Sequence, residues 1–293
     1  MKNKSTVILL SLFGFCFVSL LIVMLYNLVW PDVSFGRKVA LIELDGEIFD
    51  SRDIVRQFKK FRDDASVEAI VFRIESPGGG ITPSQEIYDI IKKIRAGGKP
   101  VIASMGSVAA SGGYYVACAA DTIVANPGTI TGSIGVIIQY PNVDKLLEKV
   151  GVKFTTIKSG QFKDALSPYR DMTKNEADYM QNFVMNAYEQ FVQMVVLERQ
   201  LDTAYVRQYA DGRVFTGQQA KDLQLVDVLG TYDDAILIAA QRAGIEGEPQ
   251  VVREKKHKPS LFEMFFDEDA GAKIGSFLPE FKSYPVISYK YGF

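Results

Sequence analysis

Apolar residues in this chain first run unbroken and then settle into short periodic segments. From Thr6 to Trp30 no residue is charged, a length that crosses a bilayer as one helix. Lys2 and Lys4 precede the run, and Tyr26 and Trp30 sit at its far end. The positive-inside rule then predicts a cytoplasmic N-terminus, with the bulk of the chain on the outer side. A cleaved signal peptide is the second reading, but its apolar core would be unusually long and no small-x-small site ends it.

Past Lys38 the periodicity changes. Val39–Leu44 reads as a strand closed by Asp45-Gly46, and Ser51–Arg62 carries Ile54, Val55, Phe58 and Phe61 at helical spacing. Ala69–Ile74 predicts a second strand, running into Glu75-Ser-Pro-Gly-Gly-Gly80. Thr82 as N-cap, Pro83 and Gln85 then open a helix through about Arg95, ended by Gly97-Gly98. Pro100–Ser104 predicts a third strand. A run of small residues leads from it to Ser111-Gly112-Gly113 and a helix reaching about Ala120. Thr122–Ala125 is a fourth strand, and Asn126–Ile138 is Gly/Thr-rich and strand-like. An Asn142-capped helix follows to Val150, then a strand over Phe154–Ile157.

Thr173-Lys-Asn-Glu176 is a capping box that opens a long helix to about Glu198. Its apolar stripe of Met180, Phe183, Val184, Ala187, Tyr188, Phe191 and Val195 reads as core, with a subunit interface as the sharper alternative. Thr216 caps a short helix, and another spans about Tyr232–Ala243. Alternating strands and helices predict an α/β fold with a largely parallel sheet. The expected divisions are a cytoplasmic tip and anchor (1–30), a linker (31–38), a folded α/β domain (39–253) and an aromatic-rich extension (254–293).

Composition narrows the chemistry. The net charge of −2 gives no reason to expect a nucleic-acid partner. The two cysteines, Cys16 and Cys118, form no disulfide framework, and no Cys/His cluster has metal-ligand spacing. Neither a metal nor a cofactor is expected. His257 is the one histidine, and it lies in a charge run near the C-terminus. A serine hydrolase built on this chain would therefore take its base from elsewhere, and lysine is the usual substitute.

Three small-residue turns follow strands: Ser76–Gly80, Gly106–Gly113 and Ile130–Gly135. In parallel sheets such turns gather at the C-terminal strand ends, where sites form. Ser-Pro-Gly-Gly-Gly fits neither phosphate-loop spacing, so its exposed N–H groups suit an oxyanion hole better. Ser111 falls where a turn becomes a helix, facing free N–H groups and the positive end of the helix dipole.

The set Glu75–Gly80, Ser104–Tyr115, Thr131-Gly-Ser-Ile-Gly-Val136 and Gly160-Gln-Phe-Lys-Asp-Ala165 resembles signal peptide peptidase A, a family of membrane-anchored serine proteases. The resemblance covers about Val39–Ala243, with the motifs in the family's order and in its short, single-domain form. It implies a Clp protease/crotonase-like fold and a Ser/Lys dyad: Ser111 as nucleophile, Lys163 as general base and Ser133 orienting the lysine. Gly78 and Gly112 resemble the oxyanion hole, with Gly79 as the alternative to Gly78. Lys158 is the rival base, but the family's base precedes a small or acidic residue and alanine, as in Lys163-Asp164-Ala165. Ser104 and Ser107 are the rival nucleophiles, and Tyr114 and Tyr115 read as helix packing.

The resemblance further implies an endopeptidase that degrades remnant signal peptides, a homo-oligomer, and a bacterial inner-membrane protein whose catalytic domain lies on the outer side. Two other classes share the fold: a crotonase-type acyl-CoA enzyme, and a non-catalytic membrane-tethered assembly protein.

Overall fold

Strands that are apolar on both faces must be covered on both faces, and this requirement organises the chain. The computed structural model describes residues 13–21, 37–254 and 287–290. Two compact units are present, Met1–Arg37 and Lys38–Phe293. In the first, residues 13–21 are helical. The rest of the predicted anchor, most of the linker, His257 and most of the extension lie outside the described residues. Among the described residues no helix is long and apolar enough to cross a membrane.

The second unit begins with β1 (Lys38–Asp45), α1 (Arg52–Asp63), β2 (Val67–Ser76), β3 (Gly78–Gly80), α2 (Ile81–Ala96), β4 (Val101–Ala110) and α3 (Gly112–Ala117). It continues with β5 (Thr122–Ala125), β6 (Ile130–Gly132), β7 (Ile137–Ile138), α4 (Asp144–Lys149), α5 (Lys174–Arg199) and α6 (Thr203–Tyr209). The remaining elements are β8 (Val214–Thr216), α7 (Gly217–Asp222), β9 (Val228–Leu229), α8 (Tyr232–Arg242), β10 (Gln250–Arg253) and β11 (Ile287–Lys290).

The main sheet runs parallel in the order β10-β1-β2-β4-β5-β9. The period-2 alternation of strand side chains divides its residues between two cores. Ala40, Ile42, Ile70, Phe72, Ile74, Val101 and Ala103 pack in one core with residues of α1, α2, α3 and α5. Val39, Leu41, Ala69, Val71 and Ile102 pack in the other against Ala235, Ala239 and Ala240 of α8. β6 joins the far end of β4 in parallel, and β8 pairs antiparallel with β6. A second sheet, β3-β11-β7, is antiparallel and lies at the glycine turn.

Four local expectations change. The stretch Met105–Ala110 is strand rather than turn, because β6 and side-chain partners hold it extended. Thr129 Oγ1 donates to Gly106 O, Thr131 Oγ1 donates to Ala109 O, and the Glu75 carboxylate accepts from Ser107 N and Val108 N. The helix expected at Thr82 starts at Ile81 instead, directly from β3, with Ser84 Oγ donating to Gly80 O at 2.8 Å. Phe154–Ile157 forms no strand: residues 151–160 are all exposed, so no sheet edge lies beside them to pair. The helix expected over Asn142–Val150 shrinks to α4, where Asn142, one residue before the N-cap Val143, accepts from Asp144 N through Oδ1.

The α5 stripe is core only in part. Ala187, Phe191 and Val195 are buried, whereas Phe183 is 45% exposed. The extension expected from residue 254 onward contributes β11 to the second unit, with Tyr289 fully buried.

Candidate active site

β2, β4 and β6 are neighbours and parallel, so their C-terminal ends deliver the three turns to one place. Ser111 follows β4 directly and is 1% exposed. Its backbone adopts φ 54° and ψ −115°, a conformation that costs a non-glycine residue roughly 1–3 kcal/mol. Ser111 N donates to Gly132 O at 2.8 Å, and Ser111 O accepts from Tyr115 N at 2.8 Å, so the strain is held by β6 on one side and α3 on the other. The hydroxyl itself has no hydrogen-bond partner among the described residues. A strained backbone that presents an unpaired, buried hydroxyl is maintained at a cost, and such sites gather where function requires them.

The Thr131–Gly135 turn stands beside Ser111 through that Gly132 contact. Ser133 in it is also at positive φ (51°) and buried, with its N–H donating to Arg213 O at 2.9 Å. Ser104 and Ser107 lie within β4, away from the turn. Ser104 Oγ accepts from Arg73 Nη1, and Ser107 is exposed.

The glycine strand closes the other side. Gly78 has φ +108°, and a β-carbon on it would stand 2.8 Å from Gly112 N while overlapping the carbonyl oxygen of Tyr289. A β-carbon on Gly112 would stand 3.1 Å from Gly79 N. The two glycine segments thus touch backbone to backbone, which side chains would prevent. Gly78 N donates to Ser76 Oγ at 3.2 Å, and Gly79 N lies close to Gly112. Ile48 supports the strand from its outer edge: its N–H donates to Gly78 O and its carbonyl accepts from Gly80 N, both at 2.8 Å.

β11 lies antiparallel on this strand, with Tyr289 opposite Gly79 and Lys290 opposite Gly78. The Tyr289 ring fills a pocket between Tyr115 and Phe191, with centroids 5.2 Å and 4.6 Å away, and its hydroxyl donates to Ala187 O at 3.3 Å. Burial pushes the Tyr115 hydroxyl up to about 12 and that of Tyr289 higher still, so both stay protonated and act as packing and donor groups. Tyr289 and Ile48 were given no role from sequence, and Glu75 entered only as the first residue of a motif. The alternation in Ile287-Ser-Tyr-Lys290 is the signal that could have marked β11.

Among the described residues neither candidate lysine is hydrogen-bonded to the Ser111 hydroxyl. Lys163 is exposed and enters no ion pair among the described residues. Lys158 is engaged with Asp164 and with Gln161 O.

A parallel α/β core with a strained serine at a strand end and paired glycines beside it defines the class of a serine hydrolase. Residues 93–246 match peptidase family S49, and residues 37–130 match the Clp protease family. A Synechocystis sp. protein named as a protease is 45% identical over 221 residues, 75% of this chain and 79% of its own length. A signal peptide peptidase named from Enterococcus faecium is 42% identical over 190 residues, 65% of this chain and 55% of its own. A chloroplastic serine protease of Arabidopsis thaliana is 35% identical over 228 residues, 78% of this chain and 34% of its own. The chain belongs to peptidase family S49, a family of serine-type peptidases.

Proposed function

We propose that this chain is a membrane-anchored serine endopeptidase that attacks with Ser111, uses Lys163 as base, and degrades remnant signal peptides left in the bilayer. One observation carries the endopeptidase reading. A four-residue segment already lies in extended form on the glycine strand, with its Tyr289 carbonyl at the gap between Gly78 and Gly112, the residue that follows Ser111. Adding a strand to an exposed edge is a general mode of peptide recognition, and a carbonyl at paired backbone amides is the arrangement that acyl transfer needs.

In this reading Ser111 Oγ attacks the carbonyl as Lys163 takes its proton and later returns it to the leaving amine. The Gly112 amide and an amide of the Gly78–Gly79 segment stabilise the oxyanion, and Ser133 orients the lysine. Because Lys163 is exposed on its own chain while Ser111 is buried, the base is supplied by a neighbouring copy in a homo-oligomer. The name of the Enterococcus relative and the apolar run over Thr6–Trp30 support signal peptides as substrate and an extracytoplasmic placement at the inner membrane.

The test is cleavage of an apolar fluorogenic peptide by the full chain. Ser111→Ala and Lys163→Ala should each abolish it, and co-assembling the two variants should restore part of it. Full activity in Lys163→Ala with loss in Lys158→Ala would move the base to Lys158. A folded, assembled wild type that cleaves nothing would remove the peptidase reading.

A further inference from the structure

The turn that bears Lys163 has no regular secondary structure around it, yet both neighbours of the lysine are fastened to α5. Phe162 stacks on Tyr179, centroids 4.8 Å apart. Asp164 is gripped by Arg170, whose Nε donates to Asp164 Oδ2 and whose Nη2 donates to Asp164 O, both at 3.0 Å. Arg170 also forks onto Glu176, with Nη1 to Oε2 at 2.9 Å and Nη2 to Oε1 at 2.6 Å. Glu176 is the third residue of α5 and the acidic half of its capping box, its carboxylate accepting from Thr173 N at 2.9 Å, and its side chain is 1% exposed.

The arrangement has two consequences for the lysine. A guanidinium forked onto two carboxylates fixes their separation as well as their charge, so the backbone at Asp164 is referenced to the first turn of a long helix. Asp164 is also kept occupied. Arg170 and Lys158 both pair with it, so the carboxylate next to Lys163 is not left to hold that lysine in an ion pair. A base must be both placed and unpaired to accept a proton.

We propose that Arg170, anchored on Glu176, is a positioning residue for Lys163: it sets the turn that presents the lysine and keeps Asp164 from capturing it. The proposal rests on Lys163 being the base.

Kinetics of the full chain on the apolar fluorogenic peptide test it, alongside melting temperature and assembly mass. Arg170→Met should lower kcat by about 100-fold, the effect of a misplacement near 1 Å, with KM within about twofold and the assembly intact. Arg170→Lys should recover only part of the loss, since an ammonium cannot fork. Asp164→Asn, which leaves the Arg170–Glu176 pair and the capping box in place, should lower kcat by about tenfold at a nearly unchanged melting temperature. Wild-type kcat in both Arg170→Met and Asp164→Asn would overturn the proposal. So would a loss that tracks melting temperature or assembly in both, which would make the cluster merely structural. If Lys163→Ala stays active, the base assignment fails first and the proposal falls with it, an outcome read from the control alone.

Discussion

The Tyr289 carbonyl oxygen occupies the place that a β-carbon on Gly78 would need, so the absence of a side chain at residue 78 is what lets an extended segment come down onto the glycine strand. Gly78→Ala should therefore evict β11 and deny a substrate carbonyl the same place. Its positive φ adds roughly 1–3 kcal/mol of strain for alanine. We expect kcat/KM to fall by about 100-fold or more, the effect of losing an oxyanion donor. Activity within threefold of wild type would show that the gap between Gly78 and Gly112 does not receive the reacting carbonyl.

In the proposed reading a substrate peptide needs the strand edge that Tyr289 occupies. Truncating a buried aromatic ring costs about 3–5 kcal/mol, more than a four-residue strand can lose and stay docked. In Tyr289→Ala the site is vacated, and a site that is occupied only part of the time by its own chain binds ligand more weakly by that fraction. KM for an apolar peptide should fall by about tenfold with kcat little changed. An unchanged KM would mean that β11 does not compete.

Ser111→Ala separates activity from stability. It removes a buried hydroxyl that has no partner, a group that costs about 1–3 kcal/mol to leave unpaired. Cleavage should vanish while the melting temperature holds or rises by about 2–4 °C. A clear drop in melting temperature would mean that the hydroxyl has a structural partner.

The Asp164–Arg170–Glu176 clamp has a defined acid limit. The Arg170 guanidinium holds the Asp164 carboxyl well below the usual carboxylate range, with help from Lys158, and holds Glu176 down to about 2, with help from the Thr173 N–H. Groups whose folded value is depressed contribute stability above their unfolded value and lose it as pH falls through the folded one. The Lys163 turn should thus stay closed at pH 5 and open as the pH drops from about 4.5 toward 2. Pepsin nicking within residues 158–172 would report this. Nicking already at pH 5 in the wild type would contradict it, and Arg170→Met should show it there.

Burial pushes the Cys118 thiol up to about 12. In a Cys16→Ser background it should resist iodoacetamide at pH 9 until the chain is denatured, since the thiolate is the reactive form. Labelling at the unfolded rate would show that α3 and its surroundings open readily.

Much of this was legible in the residues alone. The four central strands of the parallel sheet (β1, β2, β4 and β5), the Thr173/Glu176 capping box and the position of Ser111 between strand and helix rest on periodicity and on interactions spanning a few residues. Two of the misreadings have one source. Met105–Ala110 has the composition of a turn but is held straight by Glu75 and by β6, and Phe154–Ile157 has the composition of a strand but no edge to join. Pairing partners far along the chain decide such segments, and local composition does not name them.

The sequence by itself determined the alternation of strands and helices through β5, the small-residue turns at the strand ends, and the need for a base other than histidine, because each depends on side-chain type and short spacing. Only the tertiary structure decided that Ser111 is buried and unpaired, that Lys163 points outward on a turn tied to α5, and that Tyr289 returns across more than a hundred residues to lie on Gly78 and Gly79. Those relationships depend on how distant segments pack and which sheet edges remain free, and they take values only once the chain has closed on itself.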